Sequence, residues 1–238
     1  MVSRIELDTG EPVARRVYKA LRHAIVAMQF RPGQPLSEQE VATRMGVSRQ
    51  PVREAFIKLS EAGLVTIRPQ RGTFVVKISV RQVMDARFVR EAVELAVVRK
   101  AGEGLAPAVQ ADLRANLEAQ RAAAAERRHD RFLELDEAFH RTIALGIGCE
   151  YAWRVVEETK AQMDRVRYLS LPDATPLDRL IVQHAMIVDA VAGGRPDDAE
   201  TAMRLHLREI LTSLPELERR FPDLFDSDAA APVPVRVA

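Results

Sequence analysis

Apolar residues recur at helical spacing through most of the chain, and the first such segment covers residues 12–29. Its apolar positions share one helical face, which predicts an amphipathic helix; they are Val13, Val17, Ala20, Leu21, Ala24, Ile25 and Met28. Arg31-Pro32-Gly33 is expected to end this helix, because proline and glycine interrupt regular backbone hydrogen bonding.

Two shorter helices are predicted directly after this one, separated by a glycine turn. Ser37 and Glu40 match a capping box, in which side chains satisfy the free backbone amides of the first turn. Gly46 supplies the turn, and Ser48 is expected to cap the next helix through the amide of Gln50. This order is typical of a helix-turn-helix, whose second helix enters the DNA major groove.

The second of these helices separates an apolar face from a polar one. Its apolar positions repeat at i, i+3, i+4 and i+7 and are Val52, Ala55, Phe56 and Leu59. Arg49, Gln50 and Arg53 lie on the opposite side, near the start of the helix. Arginine can pair with guanine and glutamine with adenine. An isolated polar face is more often simply solvated, but the turn and caps on both sides favour base reading here.

A β-hairpin is predicted behind this helix. Residues 64–67 and 73–76 have strand composition and flank the turn Pro69-Gln70-Arg71-Gly72. A hairpin in this place is the wing of a winged helix, and its tip would bring Arg71 to phosphates or into the minor groove. The N-terminal fold is therefore predicted to be a winged helix-turn-helix, with three helices and a hairpin wing.

Beyond residue 78 the periodicity is helical, with no convincing strand. The predicted helices lie near residues 79–101, 107–127, 130–146, 150–169, 176–193 and 196–213. Their succession predicts an all-α antiparallel helical bundle, and hence a mostly α protein. The expected domains are residues 1–78 and 79–222, with a disordered tail over residues 223–238.

Charge is distributed unevenly between these two domains. Residues 1–78 carry 13 basic and 7 acidic side chains, whereas the remainder carries 22 basic and 27 acidic ones. A basic domain joined to an acidic one indicates that only the first meets a polyanion. We see no signal peptide and no membrane span, and the lone Cys149 cannot form an intrachain disulfide. A cytoplasmic protein without a membrane partner is expected, with Cys149 as a small buried residue.

Four polar residues lie among apolar ones in the predicted bundle. Asp136 and His140 are i, i+4 neighbours, so both can face one point inside it. His184 and His206 lie on the apolar faces of two other helices. A lone histidine on such a face is usually a core residue, but three of them with an inward carboxylate match a divalent transition metal site. Zinc is the first choice, with nickel, manganese and iron left open.

The N-terminal motifs resemble the winged helix of the GntR family of transcription regulators. The resemblance covers roughly residues 12–77, and its five motifs are Arg31-Pro32-Gly33, Leu36-Ser37-Glu38, the run from Val47 to Ala55, Gly63-Leu64-Val65 and the run from Arg71 to Val75. The resemblance implies two groups of DNA contacts. They are Ser48, Arg49, Gln50 and Arg53 in the helix, and Arg71 and Gly72 in the wing.

The C-terminal part resembles the FCD ligand-binding domain of the FadR subfamily over nearly all of residues 80–215. The residues that carry this resemblance are Ala86-Arg87, Glu91, Leu135-Asp136, Phe139-His140-Arg141, Gln183-His184 and the run from Met203 to Leu207. The resemblance implies that a metal ion is held by Asp136, His140, His184 and His206, and that a carboxylate effector completes its coordination. Arg87 is implied as an effector contact, with Arg165 and Arg167 as weaker candidates.

These features predict a homodimeric transcription regulator, most simply a repressor, rather than an enzyme. Two chains would place two recognition helices on a pseudo-palindromic operator in double-stranded DNA, and a small organic acid would change their fit. Two alternatives stay open. The metal itself could be the signal, or an open metal position could activate water in an enzyme. The second is disfavoured because the chain has no HExxH motif and no inward carboxylate other than Asp136 stands out.

Overall fold

The computed structural model of the chain describes residues 10–171 and 176–226. The described residues form two compact units, one within Met1–Met84 and Glu218–Ala238 and the other within Asp85–Leu217. In chain order the elements are α1 Val13–Val26, β1 Pro35–Leu36, α2 Glu38–Met45, α3 Arg49–Glu61, β2 Val65–Arg68, β3 Gly72–Val75, α4 Val80–Gly102, α5 Pro107–Ala125, α6 His129–Gly146, α7 Glu150–Thr159, α8 Ala161–Ser170, α9 Leu177–Ala192, α10 Pro196–Arg208 and α11 Ile210–Arg220, followed by a 3-10 turn at Pro222–Leu224.

The first unit is a winged helix-turn-helix, as predicted. Its three helices enclose an apolar core that includes Val17, Leu21, Ile25, Met45, Val52, Phe56 and Leu59. The Ser37 hydroxyl accepts a hydrogen bond from the Glu40 amide at 3.3 Å, which confirms the cap of α2. Gly46 ends α2 with a φ of 69°, a left-handed conformation that glycine adopts without steric cost. The predicted cap at Ser48 is wrong, because this side chain makes no capping hydrogen bond to α3.

The wing contains one strand more than predicted. The antiparallel sheet has the order β1-β3-β2, so the hairpin of β2 and β3 gains β1 on the free edge of β3. In this register Thr73 of β3 pairs with Leu36 of β1 on one side and with Ile67 of β2 on the other. Two residues are too few to show strand periodicity, so the sequence could not reveal β1.

The end of the described chain is ordered where the sequence predicted the start of a tail. Phe225 is buried and pairs with Ile78 in a parallel bridge. The Ile78 amide donates to the Leu224 carbonyl and the Asp226 amide donates to the Ile78 carbonyl, both at 2.9 Å. The predicted tail therefore differs from the structure at residues 223–226, and residues 227–238 lie outside the described part.

The second unit is an antiparallel helical bundle, in agreement with the predicted fold class. Its main apolar core includes Val98, Leu113, Phe139, Ile143, Trp153, Ile187, Val191 and Met203. The helix predicted over 150–169 is divided at Lys160, and the one predicted over 196–213 ends at Arg208 before α11 begins. None of the described helices is both long enough and apolar enough to cross a membrane.

Lys160, where α7 passes into α8, is held by two ion pairs. This ammonium group is buried and donates at 2.8 Å to Glu137 Oε2 and at 2.8 Å to Asp164 Oδ2. Because an unpaired buried charge is very costly, these two carboxylates are what makes the burial of Lys160 possible. Cys149, just before α7, is exposed, and the prediction that it is a buried residue is wrong.

Candidate metal centre and DNA-contacting surface

Asp136 and His140 face the interior of the bundle from the middle of α6. Asp136 is 0% exposed and His140 is 2% exposed, and both belong to the buried face of this helix. Their i, i+4 spacing brings them together, since residues four apart are neighbours on a helix surface. Phe139 packs beside them, with its ring centroid 4.3 Å from that of His184 on α9.

His184 on α9 and His206 on α10 complete a cluster with these two residues. Each of the four offers one ligand atom, and these atoms all lie within 4.8 Å of one another. His206 Nε2 lies 3.1 Å from the Nε2 atom of His140 and 3.3 Å from that of His184. The Asp136 carboxylate lies 3.6 Å from His184 Nε2 and 3.9 Å from His140 Nε2. The structure thus brings the four predicted ligands to one point.

The other ring nitrogen of each histidine faces an acceptor. His184 Nδ1 is 2.8 Å from Gln120 Oε1, and His206 Nδ1 is 3.3 Å from Gln183 Oε1. Both glutamine oxygens are fixed in place because the amide nitrogens donate elsewhere, to Asn116 Oδ1 and to Glu209 Oε2 respectively. Since an oxygen acceptor requires a proton on Nδ1, both Nε2 atoms carry free lone pairs.

His140 is oriented by a carboxylate instead of an amide. Its Nδ1 lies 2.5 Å from Oε2 of Glu94, which is buried on α4 and also contacts Arg90. Burial alone would raise the pKa of Glu94, but the charge of Arg90 and the hydrogen-bonding contact with His140 lower it to about 2. Glu94 is therefore a second inward carboxylate, and it was not predicted from the sequence.

The electrostatics of the cluster favour a cation at its centre. Burial lowers the pKa of His184 to about 3 and that of His206 well below its usual value, so both imidazoles are neutral at pH 7. Two neutral Nε2 acceptors at 3.3 Å cannot hydrogen-bond to each other. Burial would raise the pKa of Asp136, but the guanidinium group of Arg167 holds it well below its usual range. One ionised carboxylate together with neutral imidazole donors is a set that fits a divalent metal ion.

A cavity opens beside the cluster. It is lined by the cluster residues Asp136 and His206, the charged Arg90, Arg167 and Glu209, the hydroxyl of Ser170, and the apolar Met163, Leu171, Leu180, Leu207 and Ile210. Two guanidinium groups and an apolar wall suit a small organic anion, because arginine can form paired hydrogen bonds to a carboxylate.

The three predicted effector arginines do not share this cavity. Arg167 lines it and forms an ion pair with Asp136. Arg165 is fully buried, donates to Gln162 Oε1 at 3.2 Å and does not line the cavity, and burial lowers its pKa to about 10. Arg87 pairs with Glu91 and does not line it either. The arginine that α4 supplies to the cavity is Arg90, which the sequence analysis did not select.

The predicted DNA-contacting residues of the helix-turn-helix lie at the start of α3. Ser48 precedes α3, and Arg49, Gln50 and Arg53 are exposed in its first turns. Gln50 donates to Glu54 Oε1 at 3.1 Å, whereas Arg49 and Arg53 both donate to Glu38.

The wing tip is likewise exposed. Arg71 lies in the turn between β2 and β3, and Gly72, the first residue of β3, has a φ of 101°. The Arg71 amide donates to the Arg68 carbonyl at 3.0 Å, which closes the turn. The Arg71 side chain is therefore presented at the end of the hairpin.

Comparison with known proteins matches both units. The model of the gntR family of bacterial regulatory proteins matches residues 13–75, and the FCD domain model matches residues 85–209. The HTH-type transcriptional repressor RspR of Escherichia coli K12 is 42% identical over 228 residues, which cover 96% of this chain and 100% of that protein. The chain belongs to the gntR family of bacterial regulatory proteins.

Two further comparisons agree with this membership. An HTH-type transcriptional regulator of Streptomyces ambofaciens is 40% identical over 227 residues, which cover 95% of each chain. The solved structure of E. coli McbR/YncC has a TM-score of 0.76 and covers 89% of this chain and 99% of its own; at 19% identity it shows a shared fold alone. This gntR-family chain is a DNA-binding transcription regulator, and its FCD domain fits the FadR-type subfamily.

Proposed function

We propose that this gntR-family regulator changes its affinity for operator DNA when a small organic acid binds at a divalent metal ion in the second unit. Asp136, His140, His184 and His206 would hold the metal. The observation that carries the proposal is the convergence of four ligand atoms within 4.8 Å, with Nδ1–H fixed on His184 and His206. Zinc suits three imidazoles and one carboxylate best, and nickel, manganese and iron accept the same donors.

The charge balance around the cluster supports an anionic effector. The carboxylates of Asp136 and Glu94 contact the guanidinium groups of Arg167 and Arg90 in two ion pairs. Glu209, the remaining carboxylate of the cavity, has its own arginine partner. Because these side chains already balance one another, a divalent cation would add two uncompensated positive charges to a buried site. Burying uncompensated charge is costly, and an anion in the cavity would reduce that cost.

Each side chain has a distinct part in this proposal. When bound, the metal supplies open coordination positions for a carboxylate oxygen. The hydrogen bonds from Nδ1 orient the imidazoles, while Arg90 and Arg167 would donate N–H groups to the acid. The apolar wall encloses the carbon skeleton and excludes water from these polar contacts. A difference in acid affinity between two arrangements of the regulator would then change operator binding, typically by roughly 5–150-fold.

The proposal includes a homodimer that acts as a repressor on double-stranded DNA. One recognition helix reads half an operator, and two chains would match a pseudo-palindromic site. Similarity over nearly the whole chain to RspR, a transcriptional repressor, supports this direction of control. Light scattering of the full chain should give twice its mass of 26.6 kDa.

The decisive experiment compares acids on metal-loaded and chelated protein. Small mono- and dicarboxylic acids should raise the melting temperature of the zinc-loaded chain and change its operator affinity, whereas their uncharged amides should do neither. The same acids should have no effect after chelation. If zinc alone changes operator binding and no acid adds to it, the metal is the signal. An equal response in chelated protein would contradict a metal-bound acid.

Arg90→Lys is expected to separate acid binding from metal binding. Lysine keeps the positive charge beside Glu94 but loses the planar pair of donors, so acid affinity should fall about tenfold or more. Zinc content should stay unchanged. Arg87→Lys is the matched control, since Arg87 also pairs with a glutamate four residues later on α4. Calorimetric titration of the acid checks both variants, and a larger loss for Arg87→Lys would assign the contact to Arg87.

Glu94→Gln is expected to weaken zinc binding by about 10–100-fold, the usual cost of losing an oriented partner of a ligating histidine. The change preserves the size of the side chain but removes the charge that faces His140 Nδ1. Competition with a chromogenic chelator measures the affinity. Glu91→Gln makes the same change three residues earlier on α4 and should leave zinc affinity within about twofold. Equal zinc affinities for the two variants would count against this role of Glu94.

A further inference from the structure

One carboxylate in the first unit holds both DNA-facing arginines of α3. Glu38, the first residue of α2, accepts from Arg49 Nη2 at 3.0 Å through one oxygen and from Arg53 Nε at 3.2 Å through the other. The Glu38 side chain is 24% exposed, whereas those of the arginines are 61% and 62% exposed. The three residues therefore form a clamp in which the carboxylate is largely covered and the guanidinium groups face outward.

The clamp leaves both arginines able to read DNA. A guanidinium has five N–H donors in a fixed plane, and each arginine gives only one of them to Glu38. Arg53 uses Nε, so both of its terminal nitrogens stay available for the paired contact that arginine makes with guanine. Arginine has many rotamers, and a hydrogen bond at one nitrogen restricts where the other nitrogens can point.

The negative charge of Glu38 is maintained by the same contacts. Burial would raise the pKa of Glu38, but the hydrogen bonds from Arg49 and Arg53 lower it below its usual value. A carboxylate next to DNA-facing arginines weakens the general attraction to phosphates. Such an arrangement favours discrimination between sequences over affinity for any sequence.

We propose that Glu38 is a positioning residue that sets base selectivity by holding Arg49 and Arg53 in the orientation in which they meet base edges. The inference rests on the DNA-binding activity of the family and is independent of the metal centre. Glu38 could also act in two simpler ways. Its negative charge could stabilise the start of α2, or it could repel the phosphates of DNA.

The test uses the full chain and two duplexes. One is selected by the wild-type protein from a randomised library, and the other has the same length and a scrambled sequence. Fluorescence anisotropy at fixed salt gives the dissociation constant for each, and their ratio measures selectivity. Glu38→Gln should lower this ratio about tenfold, within the range of one lost bidentate base contact. Its affinity for the scrambled duplex should be unchanged or about twofold tighter.

Two further variants separate the explanations. Glu38→Asp keeps the charge but is one methylene shorter, so it cannot reach both arginines and should lower the ratio as Glu38→Gln does. Glu40→Gln removes a charge from the same first turn of α2, and Glu40 is not part of the clamp; its ratio should stay within about twofold of wild type. Circular dichroism confirms that each variant is folded.

Three results would overturn the inference. A wild-type ratio for Glu38→Asp would show that charge alone matters. Equal ratios for Glu38→Gln and Glu40→Gln would show that any charge in this turn has the same effect. Equal weakening on both duplexes would show that Glu38 supports general binding and not selectivity.

Discussion

Replacing His140 by glutamine is expected to lower the affinity of the chain for zinc by about 100–1000-fold. A four-ligand zinc site is worth about 10–16 kcal/mol, so one ligand accounts for about 3 kcal/mol. His140 is suited to this test because its Nε2 faces both His206 and Asp136 while its Nδ1 faces Glu94. Glutamine retains a polar group near Glu94 but offers no imidazole lone pair. Chelator competition measures the change.

The matched control is His129→Gln, which makes the same substitution at the start of α6. His129 is outside the cluster, so this variant should bind zinc as wild type does. Both variants should show the helical circular dichroism of the folded bundle. Equal zinc affinity for His140→Gln and His129→Gln would contradict the assignment of His140 as a ligand.

The double variant Arg49→Ala/Arg53→Ala is expected to lose about 100-fold or more in operator affinity. Each bidentate base contact contributes about 1–3 kcal/mol, and the variant removes two of them together with their positive charges. Both side chains are more than half exposed, so their removal leaves the core of the first unit intact. Anisotropy with the selected duplex gives the loss, and the spread of tolerated bases should widen.

Lys58→Ala is the control for this prediction, because Lys58 is an exposed cation in the last turn of α3. It should cost about threefold or less in affinity, as expected for a lost phosphate attraction without base contact. If the double variant binds the selected duplex as well as Lys58→Ala does, the first turns of α3 do not read bases.

The four residues of the cluster could be predicted from the sequence because each one interrupts an apolar helical stripe. A buried carboxylate or imidazole in such a stripe needs a polar partner. Helix α6 contributes two such residues, and α9 and α10 contribute one each. Only the structure shows that these stripes meet at one point.

Arg90 and Glu94 belong to the same kind of stripe but were not predicted. The buried face of α4 passes through Val83, Ala86, Arg90, Glu94, Val97 and Ala101. Arg87 and Glu91 repeat the same i, i+4 pattern three residues earlier. The resemblance to the FCD domain implied Arg87, and not Arg90, as an effector contact. Periodicity alone does not separate the two arginines, because each has two apolar residues three or four positions away: Val83 and Met84 for Arg87, and Ala86 and Val93 for Arg90.

Other features of the fold depend on contacts that are distant in sequence. Strand β1 forms by pairing with β3, and Phe225 is held by a parallel β-bridge to Ile78. Lys160, at which the predicted helix is divided, pairs with Glu137, which belongs to another helix. Local periodicity contains no trace of such partners, so β1, the structured end of the described chain and the helix end at Lys160 could not be predicted from it.

The most direct test of the metal centre is the X-ray absorption spectrum of the zinc-loaded full chain at the zinc edge. The structure predicts only nitrogen and oxygen ligands, at about 2.0–2.2 Å, with the multiple-scattering pattern of three imidazoles. A sulfur ligand at about 2.3 Å, which only the exposed Cys149 or a methionine could supply, or a shell with fewer than two imidazoles, would contradict the account.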